Sequence, residues 1–273
     1  MTVSIDAFGI TDRGKVRESN QDNFLIVDVR KSVDVRHSSL PQESIAGRFG
    51  TASGHLFVVA DGVGGGPAGD RASEATIRAL LRYVGETVGC FNATSSTKEQ
   101  ELFTRLEDTV RDVHEALIEE SGGGGHGPAT TLTMVLLIWP RAYLIHTGDS
   151  RAYVRRGGRL QQLSTDQTFG EYMITLGAWT KDQAASSRPG ATLTSAVGGP
   201  DFQPIVGLID LEPGDSLMLC SDGLSKHVDD ERIEDVLAKE SSSEAMSRKL
   251  LDDALAAGGT DNITVVVVNT SSQ

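Results

Sequence analysis

Three aspartates that lie far apart in the chain each follow an apolar run or a turn and stand beside a glycine or an asparagine. They are Asp61 within 57–62, Asp222 within 217–223 and Asp261 within 259–265. The first two patterns predict strands that deliver a carboxylate to a sheet edge, and the third predicts a turn that leads into a strand. Two carboxylates about 5 Å apart repel each other by roughly 3 kcal/mol at an effective dielectric constant of ~20. Three of them together need a cation, so we predict a metal site with oxygen ligands.

The elements that position these residues can be predicted from the hydrophobic pattern. Helices are expected over 70–88, where Ile77, Leu80, Leu81, Val84 and Val88 form one apolar face, and around the stripe Leu102, Leu106, Val110, Val113 and Leu117. Shorter helices are expected near 230–239 and 243–256. The segment 30–54 is polar and irregular and predicts a long hairpin excursion, and 164–201 predicts a long surface segment with one short helix. Apolar runs predict strands at 3–9, 23–29, 55–60, 130–138, 142–147, 152–155, 205–211, 216–221 and 263–269.

The order of these elements favours an antiparallel architecture. Several consecutive strands are joined by tight turns, and the strand–helix alternation of a parallel sheet is absent. We therefore predict an α+β fold in which a central antiparallel β-sandwich is flanked by helices on both sides, a four-layer αββα arrangement. No linker divides the chain, so a single catalytic domain over 1–273 is expected.

Composition narrows the classes of partner. The 273 residues carry a formal net charge of −13, which argues against nucleic acid or an anionic membrane surface as a partner. The two cysteines form no CxxC motif, and Cys220 lies in an apolar run typical of a small buried residue. The first residues show no basic segment followed by an apolar stretch, and no apolar run is long enough to span a bilayer. We expect a soluble, cytoplasmic monomer.

Six sequence blocks, in order along the chain, resemble the motifs of the metal-dependent, type 2C protein serine/threonine phosphatases, and the bacterial branch of that family most closely. The resemblance covers about residues 5–268, and its specificity comes from the ordered set rather than from any one block. The blocks are GKVRESNQD at 14–22, DGVGG at 61–65, ATTL at 129–132, GDSR at 148–151, SDGL at 221–224 and TDNIT at 260–264.

The resemblance implies a binuclear Mn²⁺ or Mg²⁺ centre at the edge of the β-sandwich. Asp61 would bridge both ions, the carbonyl of Gly62 would bind one ion, and Asp222 with Asp261 would bind the other. Asp22 would reach the centre through water, and Asp149 resembles the family's ligand for a third, weaker ion. Oxygen ligands suit such hard cations, and a residue without a side chain at position 62 lets the carbonyl approach closely. Asp149 could alternatively be a surface salt-bridge partner of Arg151.

The resemblance also implies a mechanism and a class of substrate. Arg17 would clamp the phosphate, since a guanidinium fork matches two phosphate oxygens. Two ions sharing one water would place a hydroxide in line with the phosphorus, with Asp61, Asp222 and Asp261 as catalytic ligands and no covalent intermediate. Expected substrates are phosphoserine and phosphothreonine proteins that a serine/threonine kinase has modified. The family's variable flap corresponds to about 164–201.

Two positions depart from the pattern of some family members. Val63 stands where some members carry a histidine proposed as general acid, so the leaving alkoxide needs a proton from another source. Gln21 stands where other members carry an acid beside the metal-site aspartate.

Three other functions remain as alternatives at this point. The sequence at 64–69 fits the GxGxxG pattern of dinucleotide-binding proteins, although no second strand ending in an acid follows it. A catalytically silent phosphatase-like module would bind phosphoproteins without hydrolysing them, but such modules usually lose metal-site aspartates. Lastly, the same chemistry could act on small phosphoesters.

Overall fold

A computed structural model describes residues 3–30, 33–39, 52–64, 67–87, 96–122 and 127–272 of the chain. Its strands form two sheets, in which every described strand pair is antiparallel, as the tight turns predict. The GxGxxG alternative is therefore wrong, because a dinucleotide-binding unit requires parallel strands around its helix.

The first sheet contains the strands that carry Asp222 and Asp261 to the site. Its order is β1-β12-β11-β8-β9. The strands are β1 (Val3–Asp12), β8 (Arg151–Arg156), β9 (Arg159–Gln162), β11 (Ser216–Cys220) and β12 (Ile263–Ser272).

The second sheet carries Asp22 and Asp61. Its order is β10-β7-β6-β4-β2-β3, with β5 paired beside the end of β4. The strands are β2 (Asp22–Arg30), β3 (Val33–Ser38), β4 (Ala52–Val63), β5 (Ala129–Thr130), β6 (Leu132–Ile138), β7 (Arg141–Thr147) and β10 (Ile205–Asp210).

Helices cover the outer face of each sheet. The helices α1 (Pro67–Thr87) and α2 (Ser96–Glu120) pack on the second sheet, and α5 (Asp222–Ser225), α6 (Asp230–Lys239) and α7 (Ser243–Ala256) pack on the first. Two short helices, α3 (Phe169–Thr175) and α4 (Lys181–Ser186), lie in the flap segment. The predicted four-layer αββα fold is confirmed.

Three apolar cores separate the four layers, and strand β2 shows how one sequence serves two of them. Leu25 and Val27 face the α1–α2 layer, whereas Phe24 and Ile26 face the other sheet. Because both faces of this strand are covered, its sequence is a continuous apolar run rather than an alternating one. Burial of each such side chain contributes roughly 1.5–3 kcal/mol to the stability of the fold. The packed sandwich in turn positions the strand ends near which the aspartates lie.

Three sequence predictions need correction. The segment predicted as an irregular hairpin excursion contains β3, which pairs with β2 in the described residues, while 31–32 and 40–51 of that segment lie outside the described ranges. The flap contains two short helices and a 3₁₀ turn (Arg188–Ala191) instead of one helix. Each helix is shorter than two full repeats of the helical period, so no apolar periodicity reveals it. Finally, Asp61 does not end its strand, because β4 continues to Val63 through pairing with β5.

Candidate metal centre

Asp22 and Asp61 lie opposite each other on neighbouring strands. The register of β2 and β4 pairs these two residues directly, and directly opposite residues bring their side chains close together. The backbone of Asp61 is fixed by Thr131, whose hydroxyl accepts from the Asp61 N–H at 3.0 Å and whose N–H donates to the Asp61 carbonyl at 2.8 Å. The second sheet thus holds two carboxylates at one end of the sandwich.

Asp222 and Asp261 reach the same end from the first sheet. Asp222 begins helix α5 directly after β11, and Asp261 lies in the turn that precedes β12. His227 joins these two segments: its Nδ1 lies 2.9 Å from the Gly223 carbonyl and its Nε2 lies 3.1 Å from the Thr260 hydroxyl. His227 therefore holds together the two segments that carry Asp222 and Asp261.

A cavity of about 210 Å³ brings the predicted site residues together. Its walls include all of them except Asp22, which is buried behind it: Arg17, Asp61, Gly62, Asp149, Asp222 and Asp261. Residues as distant in sequence as Arg17 and Asp261 are in contact here, because the guanidinium Nη2 lies 2.7 Å from the Asp261 carboxylate.

Among the described residues, the hydrogen-bond donors to the buried carboxylate of Asp22 are hydroxyl groups. The Ser221 and Thr264 hydroxyls each donate to its Oδ2 at 2.7 Å. Its Oδ1, and likewise Oδ1 of Asp222, is buried and receives no hydrogen bond from the described part of the chain. Buried charged oxygens without partners are costly, so these two atoms mark a place where another positive group belongs.

Burial and mutual repulsion shift the titration of the cluster. Burial, partly offset by the two hydroxyls, raises the pKa of Asp22 to about 7. Burial, followed by the charge of Asp22, raises the pKa of Asp61 well above its usual range. Burial also raises the pKa of Asp222, although Lys226 opposes the shift. These raised pKa values mean that burial and neighbouring negative charges disfavour the charged forms of the carboxylates. A bound cation would favour those charged forms.

Asp149 stands on a tight turn between β7 and β8. Gly148 has a φ of +104°, a conformation that residues with side chains rarely adopt. Burial, followed by the charge of Asp222, raises the pKa of Asp149 to about 8. The salt-bridge alternative for Asp149 is wrong, because Arg151 instead forms an ion pair with Asp166 at 2.7 Å.

Gly62 is required for a reason that differs from the predicted one. A Cβ at this position would overlap the backbone of Gly69 at the start of α1 and approach the Gln21 carbonyl at 2.9 Å. The glycine therefore permits close packing of β4 against the helix and the β2 loop. Its N–H donates to the Gln21 carbonyl at 3.1 Å, and this contact sets the position of the Gly62 peptide at the cavity.

Sequence reasoning missed Lys226 and gave no role to Asn262. The Lys226 ammonium forms ion pairs with Asp222 and, at 3.6 Å, with Asp261. The available signal was its spacing of four residues from Asp222, which places both side chains on one face of a helical turn. Asn262 donates to the Arg13 and Ser19 carbonyls at 2.9 Å each and so holds the loop that carries Arg17. Side-chain bonds to loop carbonyls leave no pattern in a sequence.

The donor set fits hard divalent cations. All the acidic groups offer oxygen atoms, two of those atoms are buried without partners among the described residues, and burial together with repulsion within the cluster raises several pKa values. Within the described ranges, no group of three or more aspartate, glutamate, histidine or cysteine side chains is arranged so that it could hold a metal ion. In the cavity, the Lys226 ammonium contacts the carboxylates of Asp222 and Asp261, and the Arg17 guanidinium contacts that of Asp261.

Comparison with known proteins identifies the family. The family model "Protein phosphatase 2C" matches residues 36–261. The chain is 32% identical over 261 residues to the serine/threonine protein phosphatase PstP of Mycobacterium tuberculosis, covering 95% of this chain and 44% of that protein. It thus spans less than half the length of this relative. The chain belongs to the protein phosphatase 2C family.

A second relative and the solved catalytic domain of PstP match along nearly their whole length. The serine/threonine phosphatase stp of Listeria monocytogenes is 27% identical over 261 residues, 94% of this chain and 93% of that protein. The crystal structure of the PstP catalytic domain in complex with two manganese ions superposes with a TM-score of 0.74 at 28% identity. That comparison covers 99% of this chain and all of the other. The predicted family and fold are therefore confirmed.

Proposed function

We propose that the protein is a metal-dependent phosphatase that hydrolyses phosphoserine and phosphothreonine in proteins. The observation that carries this proposal is the cluster of buried carboxylates at one end of the sandwich, whose charge the neighbouring hydroxyls and two basic side chains do not balance. Family membership supports the same activity. The full set of aspartates favours an active enzyme over a silent phosphatase-like module.

The metal ligands follow from the site geometry and the family. We assign Asp61, the Gly62 carbonyl, Asp222 and Asp261 to two Mn²⁺ or Mg²⁺ ions, in keeping with the two manganese ions bound by the PstP catalytic domain. Asp22 lies behind the cavity and contributes through water, and Asp149 serves a third ion. When bound, the ions activate water and neutralise the charge of the phosphoryl group.

Arg17 holds the phosphoryl group of the substrate. Its side chain is half-exposed at the mouth of the cavity, where a guanidinium can form two parallel hydrogen bonds to phosphate oxygens. Because Asp261 now accepts one of its N–H groups at 2.7 Å, the guanidinium exchanges this partner for phosphate. Arg17 thereby orients the phosphorus for in-line attack by water.

Two nucleophilic side chains within the described residues, Cys220 and His146, are poorly placed for a covalent step. Cys220 is fully buried, and burial raises the pKa of its thiol to about 12, so the thiolate form is scarce at neutral pH. His146 is buried between Thr133 and the Thr165 carbonyl. Direct hydrolysis, in which water replaces the serine or threonine oxygen on phosphorus and the alkoxide takes up a proton, agrees with this arrangement.

The flap (164–201) borders a groove that suits an extended protein segment. This groove has a volume of about 730 Å³, is lined in part by α3 and α4, and shares Asp149, Asp222 and Lys226 with the smaller cavity. Its size supports a polypeptide rather than a small phosphoester as substrate.

No helix in the described ranges combines the length and apolar character needed to cross a bilayer. A single catalytic domain, a monomeric state and a cytoplasmic location remain part of the proposal.

One experiment tests the activity and the substrate class together. A phosphothreonine peptide, a phosphotyrosine peptide and a sugar phosphate are each incubated with the protein, with Mn²⁺ and with a chelator, and released phosphate is measured. We expect Mn²⁺-dependent release that is fastest from phosphothreonine. Equal release with chelator would contradict the metal centre, and preference for the sugar phosphate would contradict the protein substrate.

A further inference from the structure

Lys226 contacts two of the carboxylates assigned to the metal centre. Its ammonium forms ion pairs with Asp222 and, at 3.6 Å, with Asp261. The Lys226 side chain is 46% exposed, whereas those of Asp222 and Asp261 are 15% and 18% exposed. A partly exposed charge thus contacts two carboxylates that are largely withdrawn from water.

The backbone of Lys226 is held by a hydrogen bond, whereas its long side chain can adopt several rotamers. Its N–H donates to the Asp222 carbonyl at 2.9 Å and caps helix α5. The next residue, His227, joins Gly223 and Thr260. A lysine has four rotatable bonds between this anchor and its ammonium, and the side chain lines both the cavity and the larger groove. The ammonium can therefore leave the carboxylates without any movement of the backbone.

We propose that Lys226 is a built-in competitor of the divalent ion, because its ammonium already occupies the carboxylates of Asp222 and Asp261 that the ion would bind. The inference rests on the proposed metal centre. An ion that binds there must displace the ammonium. The free energy needed to break these ion pairs therefore makes the free energy of ion binding less favourable. Without an ion, the Lys226 ammonium reduces the repulsion among the carboxylates. When an ion binds, the same ammonium makes metal binding weaker than the acidic ligands alone would give.

Calorimetric titration of Mn²⁺ into variants tests this competition without measuring activity. We expect Lys226→Met to bind Mn²⁺ about tenfold more tightly than the unaltered chain, equivalent to about 1.4 kcal/mol. Lys226→Arg keeps the charge and should bind within about twofold of the unaltered chain. Lys239→Met is the matched control, because Lys239 forms an ion pair with Asp235 on α6 and its loss removes the same unit of charge elsewhere.

Thermal unfolding provides the second measurement. In chelator, Lys226→Met should unfold at least about 3 °C lower than the unaltered chain, because its acidic cluster has lost a countercharge. Added Mn²⁺ should then raise its unfolding temperature by more than it raises that of the unaltered chain. Lys226→Gln, which keeps a polar side chain at this half-exposed position, is expected to behave in the same way and covers the case in which the methionine variant folds poorly.

The outcomes separate this inference from the proposed function. If Lys226→Met and Lys226→Gln bind Mn²⁺ with the affinity of the unaltered chain or more weakly, the competition is disproved while the metal centre stands. If neither the unaltered chain nor any variant binds Mn²⁺, both the proposed metal centre and the competition are disproved. An equal gain in affinity in Lys239→Met would show a general charge effect and would also disprove the specific role of Lys226.

Discussion

The two ends of strand β11 carry aspartates with opposite environments. Asp215 precedes the strand, is 3% exposed, and receives three hydrogen bonds from the Arg156 guanidinium at 2.6–3.1 Å and one from the Glu212 N–H at 2.8 Å. Asp222 follows the strand, and its buried Oδ1 has no partner within the described residues. The fold satisfies one carboxylate completely and leaves the other to be satisfied by something else.

Asp22 extends this contrast to the second sheet. It is as buried as Asp215, at 2% exposed, yet only hydroxyls donate to it. An arginine neutralises a buried carboxylate and stabilises the fold, whereas hydroxyls orient the carboxylate and leave its charge. Burial of an acid alone therefore does not distinguish structure from function, but the type of its partner does.

The largest expected effect lies at the catalytic end of β11. Asp222→Asn should lower kcat/KM for a phosphothreonine peptide in Mn²⁺ by roughly 10²–10³-fold, because one charge that positions and neutralises the reacting group is lost. Steady-state kinetics would measure the loss, and circular dichroism would verify the fold. Asp252→Asn, at an exposed position of α7, is the control with the same chemical change. Near-normal turnover of Asp222→Asn would remove this residue from the site.

The other end of β11 should respond in stability rather than activity. Asp215→Asn breaks the pair with Arg156, which is expected to cost about 3 kcal/mol of unfolding free energy. Urea denaturation in chelator measures this change. The kcat of the folded variant should equal that of the unaltered chain. A loss of turnover comparable to that of Asp222→Asn would break the contrast between the two ends.

Asp22→Asn should change stability in the opposite direction from Asp215→Asn. In chelator at pH 8, removal of an uncompensated buried charge should raise the unfolding free energy by about 2 kcal/mol. The folded pKa of Asp22, about 7, lies above its usual value. The native state therefore holds this proton more tightly than the unfolded state does, and the cost of ionisation grows as pH rises from about 4 to about 7.

The pH dependence supplies the control for Asp22→Asn. Urea denaturation at pH 4–5 and at pH 8 should show a small difference between the variant and the unaltered chain at low pH and the full difference at high pH. Destabilisation of the same size at both pH values would indicate that Asp22 is a structural residue like Asp215.

The sequence predicted the parts of this contrast that depend on apolar periodicity. Runs such as Phe24–Val27 have buried side chains on both faces, so their strands, the layers and the aspartates beside strand ends followed from the pattern. It could not distinguish Asp215 from Asp222, because the difference is whether an arginine from β8 or a lysine from the same helical turn is nearby. Partners of that kind are set by the tertiary structure.

Short elements stabilised by polar contacts were also beyond the sequence. Helix α4 begins at a capping box in which the Thr180 hydroxyl accepts from the Gln183 N–H and the Gln183 side chain accepts from the Thr180 N–H. This helix has no buried residue. A helix without an apolar face produces no hydrophobic period, so only its capping residues could have indicated it.

The smallest expected effect concerns Arg17, whose contact with Asp261 makes it the partly exposed counterpart of Arg156. Arg156 forms a permanent structural pair, whereas Arg17 should exchange Asp261 for the substrate phosphoryl group. Arg17→Ala is therefore expected to raise KM for a phosphothreonine peptide about fivefold, equivalent to about 1 kcal/mol, with a smaller change in kcat. Arg13→Ala in the same loop is the matched control, since the Arg13 guanidinium donates to the exposed Glu18 carbonyl at 3.3 Å and contacts no site aspartate among the described residues. An unchanged KM with normal Mn²⁺ affinity would place Arg17 outside the site and make its bond to Asp261 a structural pair like that of Arg156 with Asp215.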